Sequence, residues 1–437
     1  MSTTIAQQSS KQWKAPFFTI WTGQAFSLLG SQLVQFALVW WLTKTTGSAT
    51  VLATATLVAL LPQVLLGPLV GALVDRWNRR LVMIVADSLI ALATVGLALL
   101  FWSGKVEVWH VYVLMFIRSL AGGFHWPAMQ ASTSLMVPKE HLSRVQGLNQ
   151  MLNGGMSIIA APLGALLLEV LPIQGVLAID IGTAMLAIVP LLFIPVPQPE
   201  RKAVQQPGEA KPSVWQDFTA GLKYVRGWPG LMMILAMAAV INLLVTPAFS
   251  LLPILVTKHF GGQALQLAWL ESAWGIGMFL GGMILSAWGG FRRRVITSLV
   301  GLIFMGLGLV GLGLTPAAAF WLAVGCVFFA GMMNPIVNGP LFAVLQSVVE
   351  PEMQGRVFTL IMSVSMAMTP LGLIIAGPLA DVLGPQAWFV VGGIATVLMG
   401  VVGFFIPAIM HIEDDRPTQA QAEEPALVSG SGDLEYG

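Results

Sequence analysis

Twelve apolar runs, each long enough to form a membrane-spanning helix, are the feature that most constrains this chain. A helix needs about 20 mostly apolar residues to cross the hydrocarbon core of a bilayer. The runs lie at 17–42, 49–74, 81–103, 108–136, 146–170, 174–195, 231–256, 265–288, 295–315, 317–348, 357–383 and 386–410. Only 9% of the 437 residues are charged, against about 25% in a soluble domain. The sequence therefore predicts an all-α integral membrane protein with twelve spans.

The composition argues against several other classes of protein. The net charge of +1 gives no reason to expect a nucleic-acid partner, and the single cysteine, Cys326, excludes a disulfide framework. The five histidines are scattered along the chain, so we expect no metal site and no cofactor. A primary pump would need a nucleotide site, but the sequence contains no G-x-x-x-x-G-K-[ST] motif. We therefore expect neither an enzyme nor an ATP-driven pump.

Basic residues are distributed unevenly between alternate loops. If both termini are cytoplasmic, all but four of the 21 Lys and Arg residues fall in cytoplasmic segments. The exceptions are Lys44, Lys105 and Lys258 in outer loops and Arg118 inside a span. Because cytoplasmic loops of membrane proteins are enriched in Lys and Arg, this asymmetry predicts that both termini face the cytoplasm.

The two halves of the series resemble each other. SRVQGL at 143–148 and GRVFTL at 355–360 open the fifth and eleventh spans, and APLG at 161–164 and TPLG at 369–372 follow in the same spans. Chance similarity between apolar helices is the alternative explanation. Parallel six-helix repeats are typical of transporters that bind substrate near the membrane midplane, between the halves. A channel has no need of such a repeat, so the pattern favours a transporter.

A polar interval after the sixth span divides the chain. It contains a predicted amphipathic helix, with a capping box at Ser213 and Gln216 and one apolar face formed by Trp215, Phe218, Leu222 and Val225. The residues after His411 are mostly acidic and polar, and are predicted to be disordered. The predicted organisation is an N-terminal half at 1–195, a cytoplasmic linker at 196–230, a C-terminal half at 231–410 and an acidic tail at 411–437.

The loop between spans 2 and 3 carries the most specific motif. It reads GALVDRWNRR and places one Asp and three Arg within six residues, between two apolar runs. It resembles the signature G-x-L-x-D-R-x-G-R-[RK] of the major facilitator superfamily, matched here by Gly71, Leu73, Asp75, Arg76, Arg79 and Arg80. Asn78 stands where Gly is usual. Asn also tolerates a left-handed backbone, so we expect the turn to survive.

Other segments extend this resemblance over roughly residues 12–410. Arg118 in IRSLAGG resembles an Arg of proton-coupled members, and span 5 holds a reduced antiporter motif at Gly155, Pro162 and Gly164. VPKEHLSRVQGLN, AIDIGTAM and ESAWGIGMFLGG are similar to the drug:proton antiporter-3 branch, that of the bacterial macrolide-efflux proteins. The resemblance implies a transporter of the bacterial cytoplasmic membrane, driven by the proton gradient through alternating access.

Two interpretations of the Asp-Arg loop stay open. Arg76, Arg79 and Arg80 would act as membrane anchors, because basic residues at the cytoplasmic boundary favour correct insertion and anionic lipid headgroups. An acid at this boundary has no such explanation, although Asp75 could cap a neighbouring helix. The resemblance implies that Asp75 belongs to a latch between the halves, near Gly355–Arg356 at the start of span 11, that breaks as the transporter rocks.

Ionisable residues inside spans are costly and are functional candidates by default. Asp87 and Asp180 lie on spans 3 and 6, which are peripheral in the family's arrangement, so we expect structural roles with backbone or hydroxyl partners. Arg118 on span 4 and Glu271 on span 8 are the candidates for proton coupling. Span 1 offers no acid, which makes Glu271 the preferred titrating group. A structural carboxylate bonded to Ser272 or to a span-7 hydroxyl is the alternative.

Amides within the spans predict the nature of the substrate cavity. Gln24, Gln32, Asn334 and Asn338 would place a few polar groups in a wide, mostly apolar cavity, which suits bulky amphipathic molecules better than sugars or anions. We therefore predict a monomeric, lipid-embedded exporter of amphipathic, macrolide-like drugs in exchange for protons. Export of an endogenous product such as a siderophore is the main alternative. An importer or lipid flippase ranks third.

Overall fold

The computed structural model describes residues 13–198 and 214–414, which form helices and loops with no β-strand among them. The first six helices are α1 Lys14–Thr46, α2 Ala49–Arg76, α3 Arg79–Trp102, α4 Val108–Met136, α5 Leu142–Val170 and α6 Ile173–Phe193. The others are α7 Val214–Arg226, α8 Pro229–Ser250, α9 Ala264–Trp288, α10 Arg294–Leu314, α11 Phe320–Val348, α12 Pro351–Leu383, α13 Pro385–Phe405 and α14 Pro407–Met410. Short helical turns at Lys139–His141, Leu252–Ile254 and Leu255–His259 complete the described elements.

Eleven of the described helices are long and apolar enough to cross a membrane. The remaining predicted span is α4, which carries Arg118 together with His110 and His125. These residues make α4 more polar than its neighbours, yet it has 29 residues and packs against α2 and α3 within the N-terminal half. We therefore assign α4 as the twelfth spanning helix. The predicted all-α, twelve-span architecture is confirmed.

The spanning helices form two bundles that meet along two seams. In the N-terminal half α1 packs on α5 and α6, α3 on α4 and α6, and α2 on α4. In the C-terminal half α10 packs on α11 and α13, α9 on α11, and α8 on α12. The halves meet where α2 contacts α12 and where α5 contacts α9. We call the helix ends predicted to face the cytoplasm inner, and the opposite ends outer.

Small residues allow the closest helix contacts, as expected where lipid provides no hydrophobic drive for association. At Gly281 on α9, an added Cβ would collide with the carbonyl oxygen of Met332 on α11. At Gly23 on α1, it would collide with the carbonyl oxygen of Leu186 on α6. A larger residue at either position would push the helices apart.

The linker helix α7 packs against the inner end of α12, and of the two described residues of the predicted apolar face one is buried and one is not. Val225 is buried and Gly221 lies against the Arg356 backbone, whereas Leu222 is 37% exposed. Glycine at 221 lets the backbones approach, and this turns Leu222 outward. The side chains of Trp215 and Phe218, and the whole of Ser213, lie outside the described residues.

The residues that follow α14 bind the inner end of α10. Glu413 accepts a hydrogen bond of 2.9 Å from the backbone N–H of Val295, and Arg293 donates one of 3.1 Å to Asp414. Acids are stabilising at a helix N-terminus, where backbone N–H groups lack partners. The prediction of disorder is therefore wrong for residues 411–414. Residues 415–437 lie outside the described part of the chain.

Candidate functional site

A cavity of about 270 Å³ lies between the two halves. The N-terminal half lines it with Gln32, Gln35, Phe36, Val39, Thr56, Met156, Ser157, Ala160 and Ala161. The C-terminal half adds Phe249, Ser250, Pro253 and Glu271. The lining therefore mixes aromatic and aliphatic surface with amide, hydroxyl and carboxyl groups, as in sites that bind amphipathic small molecules.

Among the described residues of this lining, Glu271 supplies the one ionisable side chain. Among the residues that the structure describes, no side chain or backbone group forms a hydrogen bond or salt bridge with its carboxylate. The predicted alternative partner, Ser272, instead donates to the carbonyl oxygen of Ile158 at 3.0 Å, across the seam between the halves. A carboxyl group without a protein partner, facing a cavity, is free to bind a proton or a basic ligand.

The four amides predicted to share one cavity are separated in the structure. Gln32 lines the cavity between the halves. Gln24 is only 1% exposed and donates to Asp87. Asn338 lines another cavity of about 300 Å³ inside the C-terminal half, and its amide donates to the carbonyl oxygen of Asn334 one turn earlier. The prediction of a single amide-lined cavity is therefore wrong.

Further polar groups of this cavity were missed from the sequence. Thr56, Ser157 and Ser250 belong to three different helices, and hydroxyls of this kind are common in spanning segments. Gln35 follows Gln32 by one helical turn, so the spacing already placed both amides on one face of α1.

Arg118 and Asp180 form a salt bridge inside the N-terminal half. The guanidinium Nη1 of Arg118 lies 2.7 Å from the Asp180 carboxylate, and both side chains are at least nine-tenths buried. Thr94 donates to the same carboxylate at 3.2 Å, and Arg118 also donates to the backbone oxygen of Ser31 at 3.1 Å. The expected hydroxyl partners of Asp180 are present in Thr94 and Ser31, but its main partner, Arg118, was not predicted. The cluster links α1, α3, α4 and α6.

Asp87 lies in another buried cluster of the same half. Gln24 on α1 donates to one carboxylate oxygen at 3.0 Å. The Nε2 atom of His125 on α4 lies 3.4 Å from the other oxygen. All three side chains are buried. Asp87 therefore has an amide and a histidine as partners, not a backbone group or hydroxyl.

Two arginines of the Asp-Arg loop point into the N-terminal half. Arg79 is buried and donates to the carbonyl oxygen of Ala131 near the end of α4 at 2.9 Å. Arg80 donates to the carbonyl oxygens of Leu191 and Leu192 in the last turn of α6. These carbonyls have no partner within their helix and carry its negative dipole end. Arg79 and Arg80 therefore join three helices of one half, which the interpretation as lipid anchors did not predict.

The predictions for the other residues of the Asp-Arg loop have different outcomes. Asn78 has φ of −71°, so it is not left-handed, and its side chain instead caps α3 by accepting from the Leu81 N–H at 3.2 Å. Asn is a preferred N-cap residue, a signal present in the sequence. The surroundings of Gly71 and the side chains of Asp75 and Arg76 lie outside what the structure describes, so the latch stays a prediction.

Asp381 joins the two halves at their outer ends. Its carboxylate accepts hydrogen bonds from the backbone N–H groups of Ala49 at 2.7 Å and Thr50 at 3.0 Å. The hydroxyls of Ser48 and Thr50 donate to it at 2.9 and 2.7 Å. An acid from α12 thus caps the start of α2. Close packing of Gly377 on Thr50 and Ala53 continues this contact, so the outer seam is closed.

The three residues of the span 5 motif have different surroundings. A Cβ at Gly164 would lie 2.9 Å from the ring of Phe36, a residue that lines the cavity between the halves. Gly155 has no described atom within 4 Å of its Cβ position. Pro162 lies inside α5, where it removes one backbone hydrogen bond. Gly164 therefore helps to position a cavity residue.

Comparisons with known proteins agree with this architecture. The family model described as Major Facilitator Superfamily matches residues 20–368 and 246–431. Macrolide efflux protein A of Streptococcus pyogenes is 33% identical over 401 residues, which cover 92% of this chain and 98% of that protein. Multidrug efflux pump Tap of Mycolicibacterium fortuitum is 26% identical over 401 residues, which cover 88% of this chain and 94% of that protein.

Solved structures share the fold at low sequence identity. One of them is a bacterial homologue of the human lysosomal transporter Spinster, in an inward-facing and unoccupied conformation. It superposes on this chain with a TM-score of 0.68 at 15% sequence identity and covers 94% of this chain. The nucleoside transporter NupG, as a D323A mutant, superposes with a TM-score of 0.64 at 14% identity and covers 90% of this chain.

Proposed function

The chain belongs to the major facilitator superfamily, and from this premise we propose that it exports amphipathic, macrolide-like drugs across the bacterial cytoplasmic membrane. The observation that carries the proposal is the cavity between the halves, with Glu271 in its lining. The names of two relatives, a macrolide efflux protein and a multidrug efflux pump, support the choice of substrate class.

The chemistry of the cavity suits such substrates. Phe36, Met156 and Phe249 offer apolar surface, and Gln32 offers a donor and an acceptor. The Glu271 carboxylate would attract the amine that many amphipathic drugs carry. The volume of about 270 Å³ is at the small end for a ligand site, so a bulky drug binds only after the inner ends of the halves separate further.

Transport in this proposal follows from rocking of the halves around the cavity. The outer ends are held together by Asp381 at the start of α2, and Ser272 bonds to Ile158 deeper in the other seam. Release of a drug to the outside requires both contacts to break. The described contacts therefore correspond to the state that takes up drug from the inside, and the inward-facing homologue of Spinster has the same overall fold.

Energy for export comes, in this proposal, from protons that bind Glu271. A protonated Glu271 carries no charge when the cavity closes over it, which removes a desolvation cost that would oppose return of the empty carrier. Drug binding on the other stroke favours proton release, which is antiport. The transporter would act as a monomer without a bound cofactor.

A susceptibility panel in an efflux-deficient bacterium tests the proposal. Expression of the wild-type chain should raise resistance to macrolides, and a protonophore should abolish the efflux of a labelled macrolide from preloaded cells. The matched control is a chain with Gly281→Leu, which should not fold, because Met332 leaves no space at that position. Unchanged resistance and efflux with a well-expressed wild-type chain would favour export of an endogenous product instead.

A further inference from the structure

We propose that Asp87 and His125, together with Gln24, form a proton-binding site in the N-terminal half, separate from Glu271. This inference rests on the proposed antiport and adds a residue pair to it. The carboxylate of Asp87 lies 3.4 Å from Nε2 of His125 and accepts from Gln24 at 3.0 Å. These residues come from α3, α4 and α1, and none is more than 7% exposed.

The two buried carboxylates of this half differ in their partners. Asp180 faces Arg118, whose guanidinium is always charged. Asp87 faces His125, and histidine gains or loses its proton near neutral pH in water. The first pair is therefore a fixed ion pair, whereas the second can change its charge.

The charge of the Asp87–His125 pair depends on one proton. With one proton on either residue, the pair is neutral overall. Without that proton, the pair carries a negative charge away from water, which is costly in a low-dielectric interior. The pair therefore holds its proton while it is buried, and releases the proton when a conformational change admits water. This is the behaviour that a coupling site needs.

The other charged groups on the helices around the Asp87–His125 pair either lie at helix ends or bind other partners. Lys14 and Lys44 are at the two ends of α1, and Arg79 and Arg80 bind carbonyls of α4 and α6. Arg118 is paired with Asp180. At the outer end of α4, His110 accepts a hydrogen bond from the Glu107 N–H. Asp75 and Arg76 end α2, and their side chains are not described.

A cavity lies next to the α4 segment that holds His125, although His125 itself is not in its lining. A cavity of about 370 Å³ lies between α2 and α4, and it is lined by Gln63 and by residues on both sides of the histidine, including Gly123, Trp126 and Pro127. Pro127 has no N–H to donate to the carbonyl of Gly123. The carbonyl of Gly123 therefore lacks its usual partner within α4, at the edge of this cavity.

Proton release on drug binding tests the site. The full-length protein, purified in weakly buffered detergent with a pH-sensitive dye, is mixed with erythromycin. We expect wild type to release protons, and Glu271→Gln to release fewer. Adding His125→Gln or Asp87→Asn to Glu271→Gln should abolish the remaining release. The control His259→Gln changes a histidine bonded to Gln386 and Thr315 in the C-terminal half, and should leave the release unchanged. Equal release with and without His125→Gln would overturn the inference.

A second measurement does not depend on drug. The NMR signals of ¹⁵N-labelled histidines report the titration of His125, which we expect to shift when Asp87 is replaced by Asn. If erythromycin does not bind wild type but this shift occurs, the proposed drug export fails and the proton site stands. If His125 titrates identically in wild type and Asp87→Asn, the proton site fails, whatever the drug does.

Discussion

Asp381 at the outer end of α12 accepts a 2.7 Å hydrogen bond from the backbone N–H of Ala49, so that one half of the transporter caps a helix of the other. The sequence placed the predicted latch at the opposite end of the same helix pair, where α2 ends and α12 begins. The structure thus identifies an outer contact between α2 and α12 that the sequence motif did not indicate. Alternating access requires that the outer contact break whenever the inner ends close.

The outer contact predicts the effect of Asp381→Ala. Loss of an N-cap costs about 1 kcal/mol, which would shift the equilibrium several-fold toward outward opening. In a Cys326→Ser background, a cysteine introduced by Ala53→Cys should react faster with an impermeant maleimide added outside. The control Glu107→Gln changes an outer acid just before α4 that accepts a hydrogen bond from Trp109 of the same half. Equal labelling of the Asp381→Ala chain and its parent would contradict the proposed closure.

The inner latch predicts a different result for Asp75→Asn. This chain should insert and accumulate normally but lose most efflux, because the closed inner state is no longer stabilised. A cysteine introduced by Gly355→Cys, where no described atom lies within 4 Å of the Cβ position, should become more accessible from the inside. Wild-type efflux by a well-expressed Asp75→Asn chain would remove the latch from the mechanism.

The Arg118–Asp180 salt bridge predicts strong coupling between the two residues. Breaking a buried pair on one side leaves an unpaired charge and costs about 3–5 kcal/mol. We expect Arg118→Gln and Asp180→Asn each to lower the thermal unfolding temperature in detergent, and the double variant to recover part of the loss. Arg118→Lys should also lose most transport, since an ammonium cannot replace the planar guanidinium that reaches Asp180 and Ser31. Full activity in Arg118→Ala would show that Arg118 is merely tolerated.

Arg80 distinguishes a helix cross-link from a lipid anchor. A lysine would serve equally well as an anchor, but it cannot span the carbonyls of Leu191 and Leu192 with two donors. Arg80→Lys should therefore reduce the folded fraction measured by fluorescence-detected size-exclusion chromatography. If Arg80→Lys has the wild-type folded fraction while Arg80→Gln does not, positive charge alone explains why this position needs a basic residue.

The positions of the spans could be predicted from the sequence because each apolar run has nearly the length of its helix. For example, the run at 108–136 coincides with α4 Val108–Met136. Side-chain partners could not be predicted in the same way. A helix that is apolar all round does not reveal which face meets which neighbour, so Asp180 was identified as buried and costly while its pairing with Arg118 was missed.

The candidate site shows the same limit. Glu271 was singled out as an ionisable residue inside a span, and the structure places it in the lining of the cavity between the halves, while its role in proton coupling stays a prediction. Gln24 is the same residue type as Gln32 and lies on the same span, yet its side chain faces Asp87 and not the cavity. The rotation of α1 about its axis decides between these outcomes, and that rotation is set by packing on α5 and α6.

The most direct test of proton-coupled export is drug transport by Glu271→Gln in inverted membrane vesicles with an imposed pH gradient. Gln mimics the protonated carboxyl permanently, so this chain should still exchange labelled macrolide down its own gradient at a rate near that of wild type. It should fail to accumulate the drug against a gradient. Uphill accumulation by Glu271→Gln at the wild-type rate would contradict the account.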